Sequence, residues 1–232
     1  PEHGFGLGEL LRRAARVDGL RRVRFLTSHP ALVDDDLVAA LAEGGPVAPY
    51  LHLPAQSGSD RILNRMKRRY TSTEYFETAE RIRAAAPRVS LSSDFIVGFP
   101  GETEEDFEAT LELVRRVRFG SLFGFRYSPR PGTAAARWGK ASEVPEDVSA
   151  ERLARLLDLQ SGLQRETNEA LVGREFEILI EGTDRRGQSK GRTSCNRIVH
   201  VEKQSGRPEP GEYVTARIVR GLPNSLIGQL AG

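Results

Sequence analysis

Over its first two thirds the chain alternates short apolar runs with segments of helical spacing, and over the last roughly 60 residues the period drops to two. Arg22 to Leu26 reads as a strand that ends in Thr27-Ser28-His29-Pro30, and a short helix over Asp34 to Ala42 follows. A second strand, Pro49 to Leu53, ends in Pro54-Ala55-Gln56-Ser57-Gly58. Ser59 then caps a helix with Ile62, Leu63 and Met66 on one face. Thr71 and Glu74 have capping-box spacing ahead of a helix that turns Phe76, Ala79 and Ile82 inward. The third strand, Val89 to Val97, ends in Gly98-Phe99-Pro100-Gly101-Glu102, and Thr103 with Asp106 opens a helix through Phe107, Leu111 and Val114. Ser121 to Tyr127 is the fourth strand, followed by Ser128-Pro129-Arg130-Pro131-Gly132-Thr133.

Four β/α units predict an α/β fold, an incomplete parallel (β/α) barrel, because closure needs about eight strands. A helical pattern at Leu7, Leu10, Leu11 and Ala14 precedes the first strand, so the chain is expected to open inside an α/β repeat with its first strand as an unpaired edge. The polar and glycine-rich residues gather after the strands, where parallel α/β folds bind ligands. Ser142 to Asp147 reads as an acidic connector and Ala150 to Leu171 as a long helix. In the tail, Phe176, Ile178 and Ile180 alternate with Glu175, Glu177 and Glu181. Further strands fit Gly191 to Ser194, Ile198 to Glu202, Tyr213 to Val219 and Leu226 to Leu230, with turns at Asp184 to Gly187, Ser205 to Gly211 and Gly221 to Asn224. Five short strands predict a small barrel of oligonucleotide-binding type. The boundary is expected near residue 170, giving domains at 1–169 and 170–232.

Composition narrows the chemistry. No run approaches the roughly 20 apolar residues of a membrane span, and Pro1 to Gly8 lack the features of a signal peptide, so a cytoplasmic location is expected. Cys195 is the single cysteine, which excludes an internal disulfide, a zinc ribbon or an iron-sulfur cluster held by this chain alone. A small half-buried side chain is the expectation for it. The net charge is only +2, but residues 170–232 hold 10 Lys or Arg against 7 Asp or Glu, and the rest holds 24 against 25. A basic small domain fits a polyanion contact, or simply a solvated surface.

The strings Leu51-His52-Leu53-Pro54-Ala55-Gln56-Ser57-Gly58-Ser59-Asp60, Asp94-Phe95-Ile96-Val97-Gly98-Phe99-Pro100-Gly101-Glu102-Thr103 and Tyr127-Ser128-Pro129-Arg130-Pro131-Gly132-Thr133 together resemble the radical S-adenosylmethionine methylthiotransferases. Thr27-Ser28-His29-Pro30, Gly191-Arg192-Thr193 and Asn224-Ser225-Leu226 match in the same order, and His52 to Asp60 resembles the branch that acts on tRNA. The resemblance implies a radical S-adenosylmethionine barrel, two 4Fe-4S clusters in the intact protein, and a carboxy-terminal RNA-binding barrel called TRAM. It implies addition of a methylthio group to C2 of N6-dimethylallyladenosine beside the anticodon, with tRNA as partner. With no cysteine before Cys195, the cluster ligands of the family are absent from these residues, so the missing amino-terminal cluster domain and first barrel strands become implied partners, no catalytic residue is assigned and the chain alone is expected to be inactive. A stand-alone RNA-binding protein and a ribosomal-protein methylthiotransferase are the alternatives.

Each motif carries a bland reading beside the implied one. Gly98 and Gly101 leave room for an adenine, or supply backbone angles to a turn. Glu102 bonds a cofactor group, or favours the positive end of the next helix. Gln56, Ser57 and Ser59 suit ribose hydroxyls or the methionine end of the cofactor, while Ser59 is also a plain cap. Asp94 orients a cofactor group or accepts backbone N–H bonds. Arg130 pairs with a carboxylate or RNA phosphate, or braces its own loop. His52 reads as hydrogen-bonded packing, and His29 as a better candidate to line the site. In the tail, Lys190, Arg192, Arg197, Arg217, Arg220 and Asn224 are the expected RNA contacts, through phosphate more than base stacking because only Phe176 and Tyr213 are aromatic there.

Overall fold

The computed structural model describes residues 4, 6–26, 29–138, 142–202 and 208–231. Thr27 and Ser28 of the first motif, and Ser205 to Arg207 of one expected turn, lie outside the described residues. Helix α1 (Leu7–Ala15) packs on α2 (Asp35–Glu43), whose amino end is capped by the Asp34 carboxylate on the Leu37 N–H. Strands β1 (Tyr50–His52), β2 (Ser90–Val97) and β3 (Ser121–Arg126) form a parallel sheet in that order. Between them run α3 (Asp60–Arg65), α4 (Ser72–Ala85) and α5 (Glu104–Val117), and the sheet is followed by α6 (Glu146–Glu169).

The expected first strand is reduced to one parallel bridge, Val23 to Val47. Val23 N–H donates to the Pro46 carbonyl and Ala48 N–H to the Val23 carbonyl, and there the ladder stops. Pro49 has no N–H to extend it, and Tyr50 N–H turns back onto the Ala48 carbonyl. The sheet therefore has three strands rather than four.

Both expected capping boxes form, Thr71 with Glu74 on α4 and Thr103 with Asp106 on α5. Each satisfies two backbone donors at a helix end and fixes where the helix begins. The core lies between the sheet and its helices, with Tyr75, Phe95, Phe107 and Phe119 fully buried. Phe95 meets Phe119 edge to face at 5.6 Å, a geometry favoured by ring quadrupoles. Gly58 is required by packing, since a Cβ there would lie 2.4 Å from the Ala109 carbonyl oxygen on α5. Helix α6 begins four residues earlier than its apolar pattern indicates, because Pro145, Glu146 and Asp147 of the acidic connector make a favourable first turn.

The tail is a closed five-stranded barrel, as its alternation indicates. Its strands are β4 (Glu175–Thr183), β5 (Ser189–Thr193), β6 (Ile198–Val201), β7 (Tyr213–Gly221) and β8 (Leu226–Leu230), in the spatial order β4-β5-β6-β8-β7. Ile178, Ile180, Val199, Val201, Ala216, Ile218 and Leu226 fill it. Closure removes the free edges that a five-stranded sheet would otherwise expose.

Candidate functional site

Alternation along three parallel strands decides which side chains meet at the sheet's open face. Leu51, Phe95 and Val97 turn to the helices and are buried, leaving Tyr50 and His52 of β1, Ser92, Asp94 and Ile96 of β2, and Phe123 and Phe125 of β3 on the other side. The strand register sets His52 beside Ser92, Asp94 beside Phe123 and Ile96 beside Phe125. A polar chain runs across this face. Ser92 Oγ lies 2.6 Å from the Tyr50 hydroxyl and 2.8 Å from His52 Nδ1, and His52 Nε2 lies 3.4 Å from Asp94 Oδ2. His52 is thus hydrogen-bonded within the sheet, as its place in a strand indicates.

A cavity of about 740 Å³ opens at the carboxyl ends of these strands. Gln56, Asp94 and Arg130 line it, together with Ile96, Phe99 and Tyr127. Gln56 reaches it through a left-handed backbone, φ 67°, pinned by a bridge to Phe95. Phe99 anchors the wall, packing edge-on against Tyr127 at 5.1 Å and Trp138 at 5.8 Å. The Tyr127 hydroxyl is buried without a hydrogen-bond partner among the described residues. Such a group is costly unless a ligand or water satisfies it.

The remaining expected cofactor residues sit behind this wall. Ser57 Oγ accepts the Ser59 N–H, and Ser59 Oγ donates to Asp106 at 2.6 Å while accepting the Ile62 N–H as a helix cap. Burial works against ionisation of Asp106, but hydrogen bonds from Arg61, Ser59 and Thr103 outweigh it and hold the carboxyl well below its usual range. Gly98 has φ 70°, and a Cβ on it would meet Ser149 Cβ of α6 at 2.7 Å. At Gly101, φ 82°, the near neighbour is the Arg65 guanidinium at 3.1 Å. On the side a Cβ would occupy, both glycines serve backbone angle and protein packing, while Gly98 also lines a second cavity of about 650 Å³ with Tyr127, Ser128 and Ser149. Glu102 accepts Gly98 N–H at 2.7 Å and Arg152 Nη1 at 2.9 Å, both on Oε2. Burial raises its pKa, against the lowering effect of those two donors. His29 caps the 3-10 turn Pro30–Leu32 and packs edge-on against Tyr70 at 5.3 Å.

The tail barrel meets the α/β part at the opposite, amino-terminal ends of the strands. Tyr50, Ser90 and Ser121, the first residues of β1, β2 and β3, share a 260 Å³ cleft with Arg192, Arg197 and Asn224. Arg197 Nη1 donates to Asn168 Oδ1 at 2.7 Å, and Asn168 Nδ2 donates to the Leu222 carbonyl at 2.6 Å. From the bridge segment, Arg21 pairs with Glu177 at 2.7 Å and lies 3.8 Å over the Tyr213 ring, while Arg22 and Arg24 donate to the Arg192 and Thr193 carbonyls. Arg192 also pairs with Glu181 and Arg217 with Glu175. Three of the expected RNA contacts, Arg192, Arg197 and Asn224, therefore lie in the seam between domains, and two, Arg192 and Arg217, are held by carboxylates. Lys190 lies elsewhere, in a groove with Arg185, Arg186 and His200, and Arg220 is exposed; neither makes an ion pair among the described residues.

Sequence reasoning passed over Lys67, Arg68 and Tyr127 on the cavity wall. The basic run Lys67-Arg68-Arg69 was a readable signal for the first two. Tyr127 was legible only as the first residue of the third motif string, because its unsatisfied hydroxyl is a property of packing.

The radical SAM superfamily pattern matches residues 1–114, which hold the bridge segment, β1, β2 and most of α5. This part of the chain is a radical SAM domain. The TRAM domain pattern matches residues 169–231, the closed barrel. Among curated proteins, the tRNA-2-methylthio-N(6)-dimethylallyladenosine synthase of Cereibacter sphaeroides strain ATCC 17029 is 51% identical over 230 residues, covering 99% of this chain and 52% of that protein. The enzymes of that name from Acidithiobacillus ferrooxidans strain ATCC 53993 and Mycobacterium bovis strain AF2122/97 are 48% and 44% identical, covering 97% and 98% of this chain and 50% and 45% of theirs. The chain spans about half the length of these relatives. A solved structure of coproporphyrinogen III oxidase from Escherichia coli, a radical SAM enzyme, shares the fold with TM-score 0.51 and 18% identity, covering 85% of this chain and 49% of that one.

The superfamily implies S-adenosylmethionine and an iron-sulfur cluster. The cavity fits an adenosyl-sized ligand in volume and in its apolar wall of Ile96, Phe99 and Phe125 set beside polar groups, with the buried Tyr127 hydroxyl in want of a partner. A cluster does not fit. The one cysteine, Cys195, lies at the far seam, and no group of three metal-ligating side chains exists among the described residues.

Proposed function

We propose that this chain is the part of a tRNA methylthiotransferase that encloses S-adenosylmethionine and holds RNA, acting on N6-dimethylallyladenosine with cluster ligands supplied by residues beyond these 232. Identity of 44–51% to synthases of that name, sustained across both domains, carries the proposal. The Gln56 amide, the Asp94 carboxylate and the Tyr127 hydroxyl are the groups that would hold the cofactor's polar atoms, against an apolar wall of Ile96, Phe99 and Phe125. When bound with its cluster, S-adenosylmethionine supplies the radical chemistry; the residues here orient it and keep water from it. Asp94 is kept in place by His52, itself fixed through Ser92 and Tyr50. In the tail, Arg185, Arg186, Lys190 and Arg220, which make no ion pairs among the described residues, are the better-placed phosphate contacts.

Deleting the gene and measuring tRNA nucleosides by mass spectrometry tests the reading. Loss of the methylthio group with accumulation of N6-dimethylallyladenosine is expected. Unchanged tRNA nucleosides, with loss of a ribosomal-protein modification instead, would sink it.

A further inference from the structure

The cavity at the strand ends carries more positive charge than its cofactor accounts for. Its lining holds Arg65, Lys67, Arg68, Arg126 and Arg130 against the single acid Asp94. Two of the five are occupied, Arg65 by the Pro100 carbonyl and the Trp138 ring, and Arg126 by Glu146. Lys67, Arg68 and Arg130 make no ion pair among the described residues, and Arg68 Nε is buried without a hydrogen-bond partner. S-adenosylmethionine offers one carboxylate and brings a sulfonium cation of its own, so it cannot balance three spare cations.

The backbone adds a second, independent observation. Helix α3 closes with Arg68 N–H on the Leu63 carbonyl at 2.9 Å and Lys67 N–H on the Asn64 carbonyl at 3.0 Å, which puts Lys67 in the left-handed region at φ 60°. That closure ordinarily takes glycine, because a Cβ is costly there. Of four non-glycine residues with positive φ among the described residues, two, Gln56 and Lys67, line this cavity. Strained positions that the fold could relieve with glycine concentrate at functional sites.

We infer that Lys67 and Arg68, on the turn after α3, and Arg130, on the loop after β3, form a clamp for RNA backbone phosphates at the mouth of the cavity. The clamp holds the nucleotides flanking the base that enters, so docking is shared between this rim and the TRAM barrel. The inference rests on the RNA-modifying reading above and extends the phosphate contact expected of Arg130 to a site on the α/β domain that includes Lys67 and Arg68, which no sequence motif singled out. Phosphate contacts position a nucleic acid without reading sequence, which suits an enzyme whose specificity lies in the inserted base.

The test uses the whole 232-residue chain, a fluorescently labelled tRNA transcript, and the variants Lys67→Gly, Arg130→Ser and, as a control on the outer face of α5, Arg115→Ser. Lys67→Gly should melt no lower than the parent, because glycine relieves the left-handed turn. Lys67→Gly and Arg130→Ser should each weaken RNA binding at low salt and cut the slope of log affinity against log salt by about 1. Each deficit should then shrink about threefold between roughly 50 and 200 mM salt, and Arg115→Ser should match the parent. If the parent binds RNA and the variants bind with its affinity and slope, the clamp is refuted while the functional reading stands. Weaker binding with an unchanged slope also refutes it, as that marks a structural effect. A parent chain that binds no tRNA overturns both. If RNA binding is unaffected but the full-length, cluster-loaded enzyme loses S-adenosylmethionine affinity in these variants, the cations serve the cofactor carboxylate and the clamp is refuted.

Discussion

Replacing Arg152 by methionine leaves the Glu102 carboxylate buried without its cation. The two side chains are 6% and 1% exposed and 2.9 Å apart, and Glu102 Oε1 already lacks a hydrogen-bond partner. Gly98 N–H alone would remain on Oε2. Breaking a buried pair from one side costs about 3–5 kcal/mol because the surviving charge is stranded. Glu102 starts with a pKa raised by burial, against lowering by Gly98 and Arg152. Without Arg152 it rises further. A raised carboxyl contributes stability that is complete below the unfolded value and is lost as pH climbs through the folded one. The deficit of Arg152→Met should therefore be smallest below about pH 4.5, the unfolded glutamate range, and grow toward neutrality. Urea unfolding followed by circular dichroism at a series of pH values reads this directly. Adding Glu102→Gln removes the stranded charge, so the double variant should recover much of the loss at pH 7. A deficit independent of pH, or a double variant as weak as Arg152→Met, would refute the reasoning. The cavity is at stake as well, since Arg152 of α6 donates to the Glu102 carbonyl and carboxylate, and that carboxylate accepts the Gly98 N–H, which ties both ends of the loop from Gly98 to Glu102 to α6.

Three further outcomes follow from single contacts. Gly58→Ala places a methyl 2.4 Å from the Ala109 carbonyl oxygen and should cost about 1–3 kcal/mol, read by thermal melting. The Asp184 carboxylate, lowered by the Gln188 and Arg186 N–H groups and by His200, contributes stability above the usual carboxylate range that is lost as pH falls through its folded value. Asp184→Ala should make the barrel melt earlier at neutral pH and respond less to acid. Purified as 232 residues, the chain should take up no iron-sulfur cluster on anaerobic reconstitution, measured by its visible absorption, because one cysteine cannot hold one.

Local signals carried most of the fold. Thr71 and Thr103 mark helix starts through spacing alone, and Ile178 and Ile180 announce a barrel strand by alternation, because those features depend on neighbours in sequence. The first strand failed because its partner segment contains Pro46 and Pro49, and ladder pairing is decided by the neighbour. The site was legible by position and less so by role. Gln56, Asp94 and Arg130 reach the cavity, yet Ser57, Ser59 and Glu102, from the same motifs, turn inward as props. A strand end puts several polar residues at one pole, but which of them faces outward depends on the helix behind, and α5 and α6 claim Ser59 and Glu102 through Asp106 and Arg152.

The two poles of the sheet bear on what can be bound. The cavity lies at the carboxyl ends of the strands and the barrel docks at their amino ends. Strand β2 runs eight residues between them, roughly 26 Å at about 3.3 Å each. A nucleoside or a dinucleotide that fills the cavity ends well short of the barrel. A folded RNA stem can cross that distance, keeping its backbone on basic groups at both poles while one loop base leaves the stack. On the proposed function, the separation suits a structured RNA better than a free nucleoside, with the barrel as its grip and the cavity rim as its placement.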